Sequence, residues 1–228
     1  FLAAPVDEKD LQSLATEVEV VSWDDDREMA TASVNLKLGN LVLSSRPLHK
    51  ISEEKKVKVL CRVIREKGLS FLNWGADHSH WQSRVLSLRK WRPDENWPDV
   101  SDQELLNSVE EWLAPFLLNL HKRSDLLKID LNMVLSTLLP WNMNARFGEL
   151  APPRLPVPSG SQIRLQYFPD GAAPVMEVRL QEVFGLLETP AVNEGKNKVI
   201  MHLLSPGFKP VQVTQDLKSF WATTYAEV

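Results

Sequence analysis

Lys55, Lys58, Arg62 and Arg65 recur at spacings of three, four and three residues. On an α-helix these positions fall within about an 80° arc. The four cations then form one stripe, of the kind that can follow the phosphates of a nucleic acid. Val57, Leu60, Cys61 and Ile64 take the opposite face, which turns the stripe to solvent. Glu54 stands four residues before Lys58 and Glu66 four after Arg62. Such i,i+4 pairs neutralise part of the stripe, so the same pattern also describes an ordinary solvated face. A second basic cluster, Arg84, Arg89, Lys90 and Arg92, spreads around its helix, and the neighbouring Trp81 and Trp91 read as packing rather than as platforms for bases.

Asp77-His78-Ser79-His80 is the densest set of metal-ligating side chains. In a helix the two imidazoles point about 200° apart and cannot share an ion, whereas a strand would allow it. The helical reading makes the segment a solvated helix N-terminus, and no metal site is assigned. Cys61 falls on the apolar face of its helix and reads as a small buried hydrophobe, not a nucleophile. Gly195-Lys196 is the sole Gly-Lys pair, but Pro190 stands where a phosphate loop needs its first glycine and Asn197 where it needs Ser or Thr. The dinucleotide fingerprint, the nucleophile elbow and the zincin motif are all missing from the sequence. No catalytic or cofactor-binding residue is assigned, and the chain by itself reads as no enzyme.

These side chains are placed by three successive stretches. Residues 7–16 read as a short helix. Val18 to Trp23, a turn at Asp24-Asp25-Asp26, and Met29 to Leu38 with its alternating Ala30, Ala32, Val34 and Leu36 read as a β-hairpin, and Gly39-Asn40 turns the chain again into Leu41-Val42-Leu43. Such a meander is too small to stand alone, which suggests part of a small barrel. A helix runs from Ser52 to Lys67 and stops at Gly68. Further helices are expected at about 77–92 and 102–113, with two more over 125–150, broken at Pro140. Five of the eight tryptophans, Trp74, Trp81, Trp91, Trp97 and Trp112, lie in this helical unit beside Leu and Val and suit its core.

The proline-rich run Ala151 to Ser161 prevents helix and marks a junction of extended chain. Strands follow at Gln162 to Phe168 and Val175 to Val178 around a turn at Pro169-Asp170-Gly171, then an amphipathic segment Arg179 to Leu187. Lys198 to Leu204 and Val211 to Val213 are two more strands, and Asp216 to Val228 returns to helix. The fold class is α+β, with partial barrel strands over 1–50, a helical unit over 51–150 and a small α+β portion over 151–228.

Of 228 residues, 43% are hydrophobic and 25% charged, a globular composition in which every apolar run is interrupted well short of the ~20 residues that cross a bilayer. A single cysteine forms no internal disulfide, so the chain reads as soluble and cytoplasmic. A net charge of −4 and a pI near 5.8 do not advertise a nucleic-acid domain, for which a pI above about 9 is usual. Only residues 51–100 are basic, with ten Lys and Arg against seven Asp and Glu. The ends, at Phe1 and at Tyr225-Ala226-Glu227-Val228, suggest a piece of a longer protein.

Longer blocks carry more. Leu155-Pro156-Val157-Pro158-Ser159-Gly160-Ser161-Gln162-Ile163-Arg164-Leu165, Val178 to Leu186, His202 to Pro206 and Pro210 to Leu217 through Phe220-Trp221 resemble the C-terminal region of the HrpB family of bacterial DEAH-type helicases. Leu38 to Leu48, Trp97-Pro98-Asp99-Val100-Ser101-Asp102 and Glu111-Trp112-Leu113-Ala114-Pro115 are similar to the same family, so the resemblance covers essentially the whole chain. It implies a superfamily 2 helicase in which two RecA-like domains bind ATP and magnesium and hydrolyse the nucleotide, outside this stretch. The opening strands would then belong to an oligonucleotide-binding-type barrel, and 51–228 to a family-specific C-terminal extension. The implied partners are the helicase core and RNA or another single strand. The competing expectation is a protein-interaction module, suggested by the acidic pI and the proline-rich junction.

Overall fold

The computed structural model describes residue 11 and residues 13–225. Of the short helix expected over 7–16, residues 7–10 and 12 lie outside the described residues, Leu11 and Ser13 are helical and Thr16 already begins a strand, and the last three positions of the helix expected over 216–228 also lie outside. The described chain divides into two compact units, the first comprising the chain up to Trp74 together with Leu106–Asp130, the second Gly75–Leu105 and everything from Leu131. The architecture is mixed α and β.

In the first unit the meander is present. β1 (Thr16–Asp24), β2 (Met29–Leu38) and β3 (Leu41–Pro47) pair antiparallel in sequence order. Asp24 Oδ1 accepts the Arg27 amide at 3.0 Å and holds the first turn, and Gly39, at φ +60°, makes the second. Among the described residues these three strands close into no barrel. Helix α1 (Glu53–Lys67) starts after Ser52 and ends at Gly68, whose φ of +83° and amide bond to Ile64 O at 2.8 Å terminate it. Its buried face comprises Lys56, Val59, Leu60, Cys61, Val63 and Ile64. Val57, expected inside, is half-buried, and Lys56 lies fully inside in its stead. That burial is tolerable because the Lys56 ammonium donates to Glu53 Oε1 at 2.6 Å, while Glu53 Oε2 accepts the Asn119 amide at 3.1 Å. Both bonds, that to Lys56 foremost, hold the Glu53 carboxyl below its ordinary range.

The helix expected over 102–113 is two, Asp102–Asn107 and Val109–Trp112, parted at Ser108. Arg65 donates Nε to Leu106 O at 3.1 Å and Nη2 to Asn107 O at 3.5 Å, which occupies the carbonyls a continuous helix would use. The two helices expected over 125–150 are three: Arg123–Leu126, Leu131–Ser136 and Trp141–Leu150, the last opened by Pro140.

The second unit is built on a five-stranded sheet in the order β10-β9-β6-β5-β4, from β4 (Arg154–Pro156), β5 (Gln162–Gln166), β6 (Val175–Arg179), β9 (Ile200–Leu204) and β10 (Pro210–Thr214). β6 and β9 run parallel, and the other neighbours antiparallel. β4, formed by the proline-rich run, sits at the edge, where a proline is harmless to the ladder. β7 (Ala191–Val192) and β8 (Asn197–Lys198) make a separate small hairpin. Leu165, Met176, Val178, Met201 and Leu203 bury the inner face of the sheet. Helix α2 (Ala76–Trp91) contributes Val85 and Leu88 to the same unit's core, with Trp97, Phe147 and Leu150. No helix among the described residues is long and apolar enough to cross a membrane.

Candidate nucleic-acid interface

Helix α1 carries Lys55, Lys58, Arg62 and Arg65 on its exposed side, one above another as their spacing requires. Each ends on a carboxylate of its own unit. Lys58 Nζ reaches Glu54 Oε1 at 2.5 Å and Arg62 Nε approaches Glu66 Oε1 at 3.9 Å, the two i,i+4 pairs visible in the sequence. Lys55 Nζ donates to Glu19 Oε2 of β1 at 2.7 Å, and Arg65 Nη2 donates to Glu110. The last two partners lie 36 and 45 residues away, beyond any local pattern. The bond to Lys58 holds Glu54 low, as the bond to Arg65 does Glu110. A phosphate arriving at this stripe therefore competes with a carboxylate already near each cation.

The three arginines of the second basic cluster are structural, whereas Lys90 is exposed. Arg84 lies buried with its guanidinium over the Phe147 ring at 4.1 Å and its Nε donating to Ala151 O at 2.6 Å, and burial pushes its pKa down to about 10. Arg89 donates to Trp97 O at 2.8 Å, and Arg92 to Glu95 at 2.7 Å and Asn193 at 2.6 Å. Trp91 Nε1 donates to Gly171 O at 2.7 Å, and Trp81 packs edge-on to Phe147.

Asp77, His78 and His80 lie in the first turns of α2 and are engaged separately. Arg164 donates to Asp77 at 2.9 Å, His78 Nδ1 accepts the Gly75 amide at 2.9 Å, and His80 Nε2 meets Leu165 O at 2.7 Å. His80 stands at the wall of a 560 Å³ cleft lined also by Ser83, Arg164, Tyr167 and Glu177. Burial holds its imidazole below the ordinary histidine range, against the opposing pull of Leu165 O. Its folded-state pKa then lies below the unfolded value of about 6.5, and the unfolded chain takes the proton first. Stability is expected to be full above that value and to fall as pH drops through the folded pKa. Thermal unfolding at pH 5 and pH 7.5 measures this, and His80→Gln should narrow the difference. An unchanged difference would assign it to other groups.

A further group was not singled out by the sequence. Phe184, Phe220, Trp221 and Tyr225 gather in the second unit, with Trp221 and Tyr225 ring centroids 5.1 Å apart and edge-to-face. Phe184 is 36 residues from Phe220, and only the fold brings them together.

Comparison with known proteins agrees with this architecture. The family model described as ATP-dependent helicase C-terminal matches residues 112–228, and that of the ATP-dependent RNA helicase HrpB connector region matches 14–48. The ATP-dependent RNA helicase HrpB of Escherichia coli (strain K12) is 37% identical over 215 residues, 94% of this chain and 26% of that protein. Two crystal structures of E. coli HrpB, one titled a DExH-box NTPase and the other a DEAH/RHA helicase, superpose with TM-scores of 0.77 and 0.73 at 35% identity. They cover 98% and 94% of this chain and 28% and 27% of theirs. The chain thus spans about a quarter of the length of these relatives. With a family model matching more than half of its residues and the same fold in the solved relatives, the chain belongs to the HrpB family of ATP-dependent helicases, as its C-terminal region.

Proposed function

We propose that this chain is an accessory region of an ATP-dependent RNA helicase of the DEAH type, which supports nucleic-acid binding or docks on the helicase core and hydrolyses nothing itself. The observation that carries the reading is the β1–β3 meander with its exposed third strand, lying where the connector model matches. An open strand edge with Leu41 and Val42 exposed asks for further strands, as a member of an oligonucleotide-binding-type barrel would. On this reading ATP and magnesium belong to the RecA-like core, for which the residues of this chain offer no phosphate loop. The cell compartment is the cytoplasm, in keeping with the single cysteine.

The test compares RNA-stimulated ATPase and unwinding of the full-length helicase with and without residues 52–228. A loss of RNA stimulation is expected, and equal rates would leave only a protein-interaction role. Charge reversal at Lys58 and Arg62 separates the stripe from the rest. If the stripe meets phosphate, the double variant weakens RNA binding and flattens its salt dependence. Unchanged binding would remove those residues from the interface.

A further inference from the structure

β6 and β9 run parallel, and the chain leaving the carboxyl end of β6 meets the terminal helix, the successive turns Leu217–Ser219 and Phe220–Thr224. Trp221 Nε1 donates to Leu186 O at 2.8 Å. Thr189 Oγ1 donates to Gln215 O and accepts the Leu217 amide, both at 2.9 Å. Gln215 Nε2 reaches Lys198 O at 3.2 Å. These bonds tie residues 184–189, the β7–β8 hairpin and the terminal helix into one surface.

On that surface the ring centroids of Phe184, Trp221 and Tyr225 form a triangle with sides of 6.0, 6.1 and 5.1 Å. Buried Phe220 supports it, 5.0 Å from Trp221 and 6.2 Å from Tyr225. Phe184 is 47% exposed, Tyr225 42% and the adjoining Leu187 71%. Large aromatic rings held in fixed orientation and left open to water mark a binding surface. Lys218, Trp221 and Tyr225 recur at spacings of three and four along the terminal helix. Lys198 and Lys218 are exposed, and neither is ion-paired among the described residues. The α1 stripe is the opposite case, with every cation already held by a carboxylate.

We propose that Phe184, Trp221 and Tyr225, with Lys218 three residues before Trp221 and Lys198 on the β7–β8 hairpin that Gln215 bonds, form a stacking platform for the bases of a single-stranded nucleic acid. Every base presents a π-face, and a duplex hides it between neighbours, so open rings select an unpaired strand. Lysines with no ion pair among the described residues meet phosphates without first giving up one of those carboxylates. The proposal rests on the nucleic-acid reading above and gives it a place in the fold apart from α1.

Fluorescence anisotropy of a fluorescein-labelled oligouridylate with the 228-residue chain tests it. Phe184→Leu and Tyr225→Leu keep apolar bulk but lose the aromatic face. Each is expected to weaken binding about tenfold, Phe184→Tyr to retain it, and Lys218→Ala to lower the salt slope by about 0.7. Far-ultraviolet circular dichroism and the thermal midpoint check that the exposed substitutions leave the fold intact. Wild-type binding that the two leucine variants leave unchanged overturns the platform alone. Absence of wild-type binding overturns the nucleic-acid reading with it. Loss of association with the helicase core in Phe184→Leu, with oligouridylate binding intact, assigns the surface to a protein partner and also overturns the proposal.

Discussion

Trp97→Ala is expected to destabilise the second unit by about 3–5 kcal/mol, as the loss of a fully buried indole does. Only 1% of Trp97 is exposed. Its ring packs 6.3 Å from that of Phe147, and Nε1 meets Glu95 Oε2 at 3.2 Å. Alanine would leave a cavity among Leu-sized neighbours and remove one of the bonds that fix Glu95, which also receives Arg92 at 2.7 Å. Trp141→Ala supplies the contrast, since that indole is 86% exposed. Its removal should change stability by no more than about 0.5 kcal/mol. Denaturant unfolding of the two variants beside the wild type measures both, and equal losses would contradict the placement of these side chains.

Gly171→Ala should cost about 2–5 kcal/mol, from two independent sources. Gly171 sits at φ +82°, where a Cβ costs about 1–2 kcal/mol. That Cβ would also lie 2.6 Å from Lys90 Cβ and 3.2 Å from its Cγ, close to the α2 backbone, where overpacking costs about 1–3 kcal/mol. The displacement would strain the Trp91 Nε1 bond to Gly171 O as well. Gly195→Ala isolates the first source, because Gly195 has φ +81° and no atom within 4 Å of a built Cβ. Midpoints at constant denaturant slope compare them. A Gly171→Ala loss no larger than that of Gly195→Ala would mean that Lys90 yields freely.

The meander was legible because its signals are local: alternation from Met29 to Leu38 marks a strand, and Gly39-Asn40 fixes the turn. Ser52 and Gly68 bracket α1 for the same reason. What escaped depends on partners distant in sequence. Lys56 reads as a solvent residue until Glu53 and Asn119 are seen around it. The break at Ser108 follows from Arg65, some forty residues earlier, taking the carbonyls of Leu106 and Asn107. The parallel pairing of β6 with β9 is likewise non-local, since alternation within a strand names its faces but not its neighbours.

The candidate site divides in the same way. Helical spacing put Lys55, Lys58, Arg62 and Arg65 on one side of α1 and exposed two of their counter-charges, while Glu19 and Glu110 arrive only through the fold. The aromatic triangle had no signal of its own. Phe184 follows a short 3₁₀ turn, Leu180–Val183, and Trp221 and Tyr225 stand on a short helix near the end of the described chain. Sequence blocks containing Phe184 and Trp221 carried the family resemblance, without indicating that the two rings meet.

Cys61 lies wholly inside α1's packed face, and burial pushes its thiol up to about 11, so almost none of it is thiolate at neutral pH. These 228 residues thus already serve as a silent background for maleimide chemistry. A cysteine introduced at an exposed position such as Trp141 or Leu187 becomes the one thiol that reacts quickly, and a fluorophore or spin label there can report distances without first removing a native residue.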